Sequence, residues 1–304
     1  MSRPSDVLVL GATGQVGGAL LQALDAAGLA WRASTRSGQL PDGRPCARID
    51  LAETGSVAAA LATLRPALVI NATAYTAVDR AESEPALAQR INAEAVGELA
   101  EAAARIGARV VHYSTDYVFP GDASRPYRED DATGPVSAYG RSKRDGERAL
   151  AASGAEALTL RLAWVYAATG QNFLRTMLRV GAERDVLRVV ADQVGAPTPA
   201  HWIADATLRA IDAGVSGLYH LTPRGTTSWH GYAQAIFDGA VERGLLPRAP
   251  RVEAITSNEY PTPAARPAWS VLDSSQLERD AGVRLPDWRT GLDEVLDQLA
   301  AAAR

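Results

Sequence analysis

The feature that most constrains the fold is the N-terminal stretch "DVLVLGATGQVGGALLQALDAAG", in which a short apolar run meets three glycines and then a helical pattern. Residues 7–10 have the pattern of a buried strand, and the apolar residues after the glycines recur at helical spacing. In such a turn, Gly11 permits the sharp bend, Gly14 lets a diphosphate approach the backbone, and Gly17 lets the helix pack on the sheet. The stretch therefore predicts a strand–turn–helix unit that binds a dinucleotide.

The first half of the sequence alternates between strand and helix patterns. Strand patterns such as "WRASTR", "ALVINAT", "RVVHYST" and "ALTLRLAWVY" are separated by helical stretches such as "SVAAALATLRP", "PALAQRINAEAVGELAEAAARIG" and "SAYGRSKRDGERALAAS". This alternation predicts βαβ units with right-handed crossovers, and therefore a Rossmann-type α/β fold with a doubly wound parallel sheet. Ligands bind such sheets at the carboxyl ends of the strands.

The regular alternation stops near residue 167. We predict a dinucleotide-binding domain over residues 1–166 and a smaller, mixed, mainly substrate-binding domain over residues 167–304. The helical stretch "IADATLRAIDAG" can return to the first domain, which a segment around residues 186–213 would then complete. Irregular stretches such as "YPTPAARPAWS" often position a ligand, so we expect substrate contacts from this half.

Composition argues against several functional classes. The 31 Lys and Arg against 35 Asp and Glu give a formal charge of −4, and no basic run suggests binding to nucleic acid or a membrane surface. Cys46 is the only cysteine, so no internal disulfide can form, which suits a reducing compartment. The apolar run near the N-terminus is too short for a signal peptide, so we expect a cytoplasmic protein. The histidines lack metal-ligand spacing, and no metal site is predicted.

The end of the second predicted strand bears on the choice of cofactor. In this type of domain an acid here binds the adenosine ribose of NAD, whereas a nearby arginine accommodates the phosphate of NADP. The sequence has Ser34, Thr35 and Arg36 and no acid, which favours NADPH and leaves NADH possible. Arg36 could instead lie on a solvated loop. Asp50, after the next short apolar stretch, could hydrogen-bond adenine or cap the following helix.

Two later stretches carry residues suited to proton transfer. In "HYSTDYVFPG" the hydroxyl of Thr115 would emerge at a strand end and could donate to a carbonyl oxygen, although Thr115 and Asp116 could also only form a turn. In "SAYGRSKRDGE" Tyr139 and Lys143 lie on one face of a predicted helix. An ammonium near a phenol lowers the pKa of the phenol, which would suit Tyr139 to protonate an oxygen that receives a hydride from a nicotinamide.

With these residues in place, the sequence resembles the extended short-chain dehydrogenase/reductase superfamily. The motifs that carry the resemblance span most of the chain and are "GATGQVG", "INATAYTAVDRAESEP", "HYSTDYVFPG", "YGRSKRDGE", "RLAWVYA", "NFLRTML", "DQVGAPT", "GLYHL" and "YPTPAARPAWSVL". The resemblance implies NAD(P)H-dependent reduction of a sugar nucleotide, namely of the 4-keto group of dTDP-4-dehydro-L-rhamnose to give dTDP-L-rhamnose. It leaves a monomer and a homodimer both open.

The same resemblance assigns residues to roles. Thr115, Tyr139 and Lys143 match the catalytic trio, with Tyr139 as proton donor, Lys143 as the group that lowers its pKa and holds the nicotinamide ribose, and Thr115 as a hydrogen-bond partner of the substrate. Asp116 and Trp164 match substrate-side positions, although Trp164 could be a core residue. The positions that match the cofactor wall are Gly14, Gln15, Val16, Asp50, Leu51, Ala74, Tyr75, Thr76 and Tyr113.

Three positions qualify the resemblance. Some family members hold magnesium at a dimer contact through glutamates, and the corresponding positions here are Ala19 and His201, so a carboxylate-held Mg²⁺ is not expected there. Arg266, in the proline-rich stretch, could pair with the substrate diphosphate because a guanidinium matches phosphate geometry. It could equally be a surface residue of that loop.

Two alternative functions stay open on the sequence alone. The first is a sugar-nucleotide dehydratase or epimerase on the same fold, although dehydratases place an acidic pair after the catalytic threonine and here Tyr117 follows Asp116. The second is a non-catalytic, dinucleotide-binding regulatory subunit. Its motifs would look similar, and only turnover would distinguish it.

Overall fold

The computed structural model describes residues 6–303 and is built around one parallel sheet. The strands, in chain order, are β1 Val7–Leu10, β2 Trp31–Thr35, β3 Ala47–Arg48, β4 Leu68–Asn71, β5 Arg109–Thr115, β6 Ala157–Leu162, β7 Val165–Tyr166, β8 Val186–Val190, β9 Val194–Gly195, β10 Thr198–Pro199, β11 Gly217–His220, β12 Thr227–Ser228 and β13 Arg251–Ile255. Seven of them form the main sheet in the order β11-β6-β5-β4-β1-β2-β3, with every neighbouring pair parallel. The strand order reverses between β1 and β4, which is the switch point where such sheets bind ligands.

Helices cover both faces of this sheet, which confirms the predicted doubly wound fold. They are α1 Gln15–Ala26, α2 Ser56–Leu64, α3 Val78–Ser83, α4 Pro85–Gln89, α5 Ala95–Ile106, α6 Ala138–Ala152, α7 Phe173–Glu183, α8 Ala200–Asp212, α9 Trp229–Glu242, α10 Ser275–Ala281 and α11 Trp288–Ala302. Because side chains alternate along a strand, Val7 and Val9 of β1 pack with α1 and α8, whereas Leu8 and Leu10 pack with α2 and α5 on the other face. Among the described residues, no helix has the length and apolar character needed to cross a bilayer.

The long helix predicted over "PALAQRINAEAVGELAEAAARIG" is interrupted by a π-helical turn. Residues 90–94 form this turn between α4 and α5. It directs the buried Asn92 side chain to the loop after β4, where Asn92 Oδ1 accepts from the Tyr75 backbone N–H at 2.8 Å and Asn92 Nδ2 donates to the Tyr75 carbonyl at 3.0 Å. A single π turn of this kind often marks a functional region, and here it fixes one wall of the cleft described below.

The strand predicted over "ALTLRLAWVY" is also broken. It divides into β6 and β7 because Trp164 has a left-handed backbone, with φ 45°, which few residues other than glycine adopt. This backbone turns the indole onto the face of Gly195, where a Cβ atom would lie 2.5 Å from the ring. The turn therefore takes Trp164 out of the main sheet and places its indole against Gly195.

The second lobe packs around its own core. Helices α7, α9 and α11 surround an apolar cluster that includes Tyr166, Tyr232, Phe237 and Trp288. The short pairs β8 with β13, β9 with β12 and β7 with β10 complete this lobe. This lobe combines helices with short strand pairs, and the domain boundary placed near residue 167 stays a prediction.

The segment that returns to the first lobe starts later than predicted. Helix α8 packs on α1, and β11 pairs with β6 at the edge of the main sheet, so the return covers residues 200–220. The predicted start at residue 186 is wrong, because β8 pairs with β13 in the second lobe. The residues of β8 alternate between exposed and buried, which fits a strand that packs on one face only rather than a strand of a sheet covered on both faces.

Candidate active site

The glycine turn after β1 is shaped by three close approaches. Gly11 has φ +76°, and a Cβ atom there would lie 2.9 Å from the Ala72 carbonyl oxygen. A Cβ atom on Gly17 would lie 2.1 Å from the Gly11 carbonyl oxygen, so only glycine lets α1 pack this closely. The carbonyl of Ser34 accepts the Gly11 N–H at 3.2 Å and holds the turn from behind. Gly14 caps α1 and is exposed, so the N-terminus of this helix is open to an anion.

A cavity of about 460 Å³ lies over this turn and the end of β2. The predicted cofactor residues that line it are Gly11, Gly14, Arg36, Asp50, Leu51, Ala74, Tyr75 and Thr76. Arg36 is exposed, and no carboxylate within the described part of the chain pairs with it. Asp50 does not cap the following helix, because its Oδ1 accepts from the Ala52 N–H at 3.0 Å. The structure does not bring the Ser34 side chain to this cavity, since Ser34 is only 1% exposed.

A second cavity of about 630 Å³ continues from the first. Both are lined by Thr13, Gly14, residues 72–74 and Thr76, so they form one cleft along the carboxyl ends of the strands. The predicted residues that line the second cavity are Gln15, Val16, Tyr113, Thr115, Asp116, Tyr139, Lys143 and Trp164. The cleft therefore joins the predicted dinucleotide site to the predicted catalytic residues, and its size is ordinary for a cofactor and substrate site.

Tyr139 lies in the first turn of α6, whose N-terminus is fixed by two side chains. The Ser137 hydroxyl accepts from the Gly140 N–H at 3.1 Å, and Glu82 Oε1 accepts from the Ala138 N–H at 2.7 Å. These caps satisfy N–H groups that have no partner within the helix. The caps thereby orient the first turn of α6, and Tyr139 lines the same cavity as Thr115.

The predicted lowering of the Tyr139 pKa by Lys143 is wrong for this structure. Burial disfavours the phenolate and raises the pKa of Tyr139 to about 12, the nearby Asp116 carboxylate adds to the rise, and only the Thr115 hydrogen bond opposes it. Lys143 does not bond the phenol: its Nζ donates to the Tyr113 carbonyl at 2.6 Å and lies 3.2 Å from His112 Nε2. Tyr139 therefore keeps its proton at neutral pH, so it can act there as a donor but not as a base.

Lys143 is unusual in this chain. It is the only lysine in the sequence, since every other basic side chain apart from histidine is an arginine. It is 1% exposed, and burial lowers its pKa to about 8, whereas the charge of Glu147 one turn further along α6 opposes this shift. An arginine could not lose its proton in this position, but a lysine can.

Asp116 is a buried carboxylate at the wall of the cleft. It is 2% exposed, and burial raises its pKa to about 6. Thr115 Oγ1 donates to Asp116 Oδ1 at 2.9 Å and also accepts from the Tyr117 N–H at 3.2 Å. The turn that the sequence offered as an alternative is therefore present, and both side chains also line the cleft.

Two stacked indoles form the far wall of the cleft. The rings of Trp164 and Trp229 lie 3.6 Å apart between centroids and 4° from parallel, and Phe173 packs on Trp229 at 4.6 Å. Sequence reasoning missed Trp229, because only the folded second lobe brings the start of α9 to the cleft. The available signal was a tryptophan directly after Ser228, which caps α9 by accepting from the Gly231 N–H at 3.0 Å.

Arg266 does not line the cleft. Its guanidinium pairs with both carboxylate oxygens of Asp79, at 3.0 and 2.8 Å, and donates to the Ala264 carbonyl at 3.1 Å. The pair joins the proline-rich loop of the second lobe to the start of α3. A contact between Arg266 and a substrate diphosphate stays a prediction, and it would require this ion pair to open.

Comparisons with known proteins identify the family of the chain. The family model described as "RmlD substrate binding domain" matches residues 5–301. The chain is 48% identical to a dTDP-4-dehydrorhamnose reductase from Burkholderia thailandensis, over 93% of this chain and 95% of that protein. It is 43% identical to the dTDP-4-dehydrorhamnose reductase of Salmonella typhimurium, over 97% of this chain and 98% of that protein.

Solved structures give the same result. A dTDP-4-dehydrorhamnose reductase from Clostridium acetobutylicum superposes with a TM-score of 0.88 at 36% identity, covering 97% of this chain and 99% of that one. The Bacillus anthracis dTDP-4-dehydrorhamnose reductase in complex with NADP also has a TM-score of 0.88, at 31% identity, covering 97% and 100%. These matches confirm the resemblance that the motifs indicated. The chain therefore belongs to the dTDP-4-dehydrorhamnose reductase family, whose members are NAD(P)H-dependent oxidoreductases of sugar-nucleotide biosynthesis.

Proposed function

We propose that the protein reduces the 4-keto group of dTDP-4-dehydro-L-rhamnose to give dTDP-L-rhamnose, with NADPH as the preferred cofactor. The observation that carries the proposal is the position of Tyr139, a protonated phenol beside the Thr115 hydroxyl in a cleft that continues from the glycine turn. The names of relatives that match over nearly the full length support the substrate.

The residues present fit a dinucleotide. Positions 11 and 17 have no room for a Cβ atom, whereas a Cβ atom on Gly14 would meet nothing closer than 3.3 Å, which suits a turn shaped around a diphosphate. The exposed N-terminus of α1 would hold the phosphates, the loop of residues 72–76 would line the middle of the cleft, and Lys143 would hold the nicotinamide ribose. When it is bound, a nicotinamide cofactor supplies the hydride that reduces the ketone carbon.

Within this reaction, Tyr139 would supply the proton. Reduction places negative charge on the former ketone oxygen, and the Tyr139 hydroxyl would donate its proton to that oxygen. The Thr115 hydroxyl would orient the same oxygen through a hydrogen bond. General acid catalysis by a positioned group of this kind contributes about 10² to 10⁴ in rate. The phenol is protonated at neutral pH and can therefore serve as the donor, whereas its raised pKa makes it a weaker acid than a free tyrosine until the bound ligands change its surroundings.

The remaining cleft residues would bind the sugar. Trp164 and Trp229 line the cleft with aromatic surface, which suits contact with a deoxysugar ring. Asp116 would accept hydrogen bonds from sugar hydroxyls. Preference for NADPH is supported by the exposed Arg36 at the adenosine end, which pairs with no carboxylate of residues 6–303, together with the lack of an acid at residues 34–36.

The test is oxidation of NADPH, followed by absorbance, with purified protein and dTDP-4-dehydro-L-rhamnose. We expect stoichiometric NADPH oxidation and formation of dTDP-L-rhamnose. Release of oxidised cofactor separates a reductase from the alternative dehydratases and epimerases, which recycle their cofactor. Binding of NADPH without oxidation, while an established reductase turns over in parallel, would instead favour the non-catalytic subunit.

A further inference from the structure

The Lys143 amine lies beside the imidazole ring of His112, and the neighbouring residues determine which ring nitrogen carries the proton. His112 is completely buried on β5, and its Nε2 lies 3.2 Å from Lys143 Nζ. Its other nitrogen, Nδ1, lies 3.1 Å from Asn71 Nδ2 at the end of β4. Burial is the main cause that lowers the pKa of His112 well below its usual value, so the ring is neutral whether or not Lys143 carries a charge. A neutral imidazole has one N–H and one lone pair, and only one of its nitrogens can accept.

Thr73 decides which nitrogen accepts. The backbone N–H of Thr73 donates to Asn71 Oδ1 at 3.2 Å, and the Thr73 hydroxyl donates to the same oxygen. A backbone N–H can only donate, so the Asn71 oxygen must face Thr73 and its NH₂ group must face His112. His112 Nδ1 is therefore the acceptor, and the ring proton lies on Nε2, directed at Lys143.

We propose that Asn71 and His112 position Lys143: Asn71 keeps the imidazole proton on Nε2, and this N–H favours the neutral amine of Lys143 over its ammonium. A neutral amine can accept from Nε2–H through its lone pair, donate to the Tyr113 carbonyl and keep one N–H for a ligand. An ammonium has three donors and no lone pair, so it would face the Nε2–H without a hydrogen bond. This contact acts together with burial, which disfavours the ammonium as well.

The charges around Lys143 are largely balanced, so the contact with His112 can influence the protonation of the amine. Glu147 favours the ammonium, but the Arg161 guanidinium binds both oxygens of Glu147, at 2.8 and 2.7 Å, and neutralises much of its effect. Tyr139 is neutral, and Asp116 is the remaining carboxylate in this part of the cleft. The role of this amine in catalysis rests on the proposed function. A bound ligand that offers hydrogen-bond acceptors to Lys143 would favour the ammonium over the neutral amine.

The tautomer can be measured directly in the cofactor-free protein by ¹⁵N-histidine NMR. The structure provides an internal reference, because the equally buried His220 must have the opposite tautomer: its Nδ1 faces the Tyr127 carbonyl at 3.1 Å and its Nε2 faces the Arg161 guanidinium at 3.3 Å. We expect the proton on Nε2 in His112 and on Nδ1 in His220. A proton on Nδ1 of His112 would overturn the proposal.

The second measurement follows Lys143 itself. Because the sequence has a single lysine, ¹³Cε-lysine labelling of untagged protein gives one resonance, whose pH titration reports the amine without assignment. We expect His112→Leu to raise the titration midpoint by about one pH unit, a tenfold gain in proton affinity. His112→Gln, which can turn an oxygen toward the amine, should raise it as well. The control His230→Leu, at an imidazole that lies against the Val252 carbonyl and outside the Lys143 network, should leave it unchanged.

The direction in which the Lys143 titration midpoint changes distinguishes the two possible hydrogen-bond arrangements. If Nε2 accepted from an ammonium, His112→Leu would remove a favourable contact and lower the midpoint, so a lower or unchanged midpoint contradicts the proposal. If His112→Leu does not fold, His112→Gln and the tautomer of the unaltered protein still give the answer. Neither measurement needs turnover, so failure of the proposed reduction would leave both results interpretable.

Discussion

Replacing Asp116 by asparagine should stabilise the protein at neutral pH and slow its reaction. Asp116 is 2% exposed and lies beside Thr115 and Tyr139, so its charge is costly to bury but available to the substrate. Asparagine has nearly the same shape and keeps an oxygen that can accept from the Thr115 hydroxyl. It carries no charge at any pH, so the variant removes only the cost of ionisation.

The size of the effect follows from the pKa of Asp116, which burial raises from 3.8 to about 6. Between these values the folded protein binds more protons than the unfolded chain, so its stability falls as pH rises through this range and stays lower above it. At 1.36 kcal/mol per pKa unit, ionisation of Asp116 costs about 1.5 kcal/mol at pH 5 and about 3 kcal/mol at pH 8. The stability advantage of Asp116→Asn should therefore grow by about 1.5 kcal/mol between these two pH values.

Urea denaturation of both proteins between pH 5 and pH 8 measures this advantage, because titrations common to the two proteins cancel in the difference. Asp131→Asn is the control: hydrogen bonds from Arg125 and the Arg128 backbone lower the pKa of the half-buried Asp131 to about 2, so the stability that this carboxylate contributes is fully present above pH 5 and the difference from wild type should stay constant between pH 5 and pH 8. A difference between wild type and Asp116→Asn that stays constant with pH would refute the reasoning. It would mean that Asp116 titrates alike in the folded and unfolded states.

Three further predictions concern the cleft. Gly17→Ala should abolish dinucleotide binding in fluorescence titrations, because its Cβ atom would lie 2.1 Å from the Gly11 carbonyl oxygen. The neighbouring Gly18→Ala, whose Cβ atom would lie 3.8 Å from the nearest atom, should bind normally. Equal binding by the two variants would contradict the packing argument. Trp229→Ala should raise KM for the sugar nucleotide about tenfold and leave NADPH affinity intact, and an unchanged KM would remove the indole from the substrate site. Arg36→Ala should weaken NADPH more than NADH, whereas Arg105→Ala, an exposed arginine on α5, should leave the ratio of the two affinities unchanged.

Much of the fold could be predicted from local sequence patterns. The continuous apolar run of β1 and the helical spacing along α1 arise from packing on a sheet covered on both faces, and they are visible within a dozen residues. Once the sheet is known to be parallel, strand ends such as Thr115 must lie at one edge, which is why most predicted site residues line one cleft.

What the sequence could not supply depends on contacts between distant residues. Trp164, which has a left-handed backbone, packs against Gly195 and Trp229. The strand pattern around Trp164 does not predict either contact. Helical spacing places Tyr139 and Lys143 on one face, but it does not decide where the amine points. The Tyr113 carbonyl and His112, on another element, determine that direction.

The central claim is that Tyr139 donates the proton during reduction in the cleft beside the glycine turn. The most direct measurement compares wild type with Tyr139→Phe for both kcat, from NADPH oxidation with dTDP-4-dehydro-L-rhamnose, and Kd for NADPH, from fluorescence. If Tyr139 donates the proton, kcat of the variant falls by about 10² to 10⁴ and Kd is nearly unchanged. A variant that turns over at the wild-type rate would contradict the account.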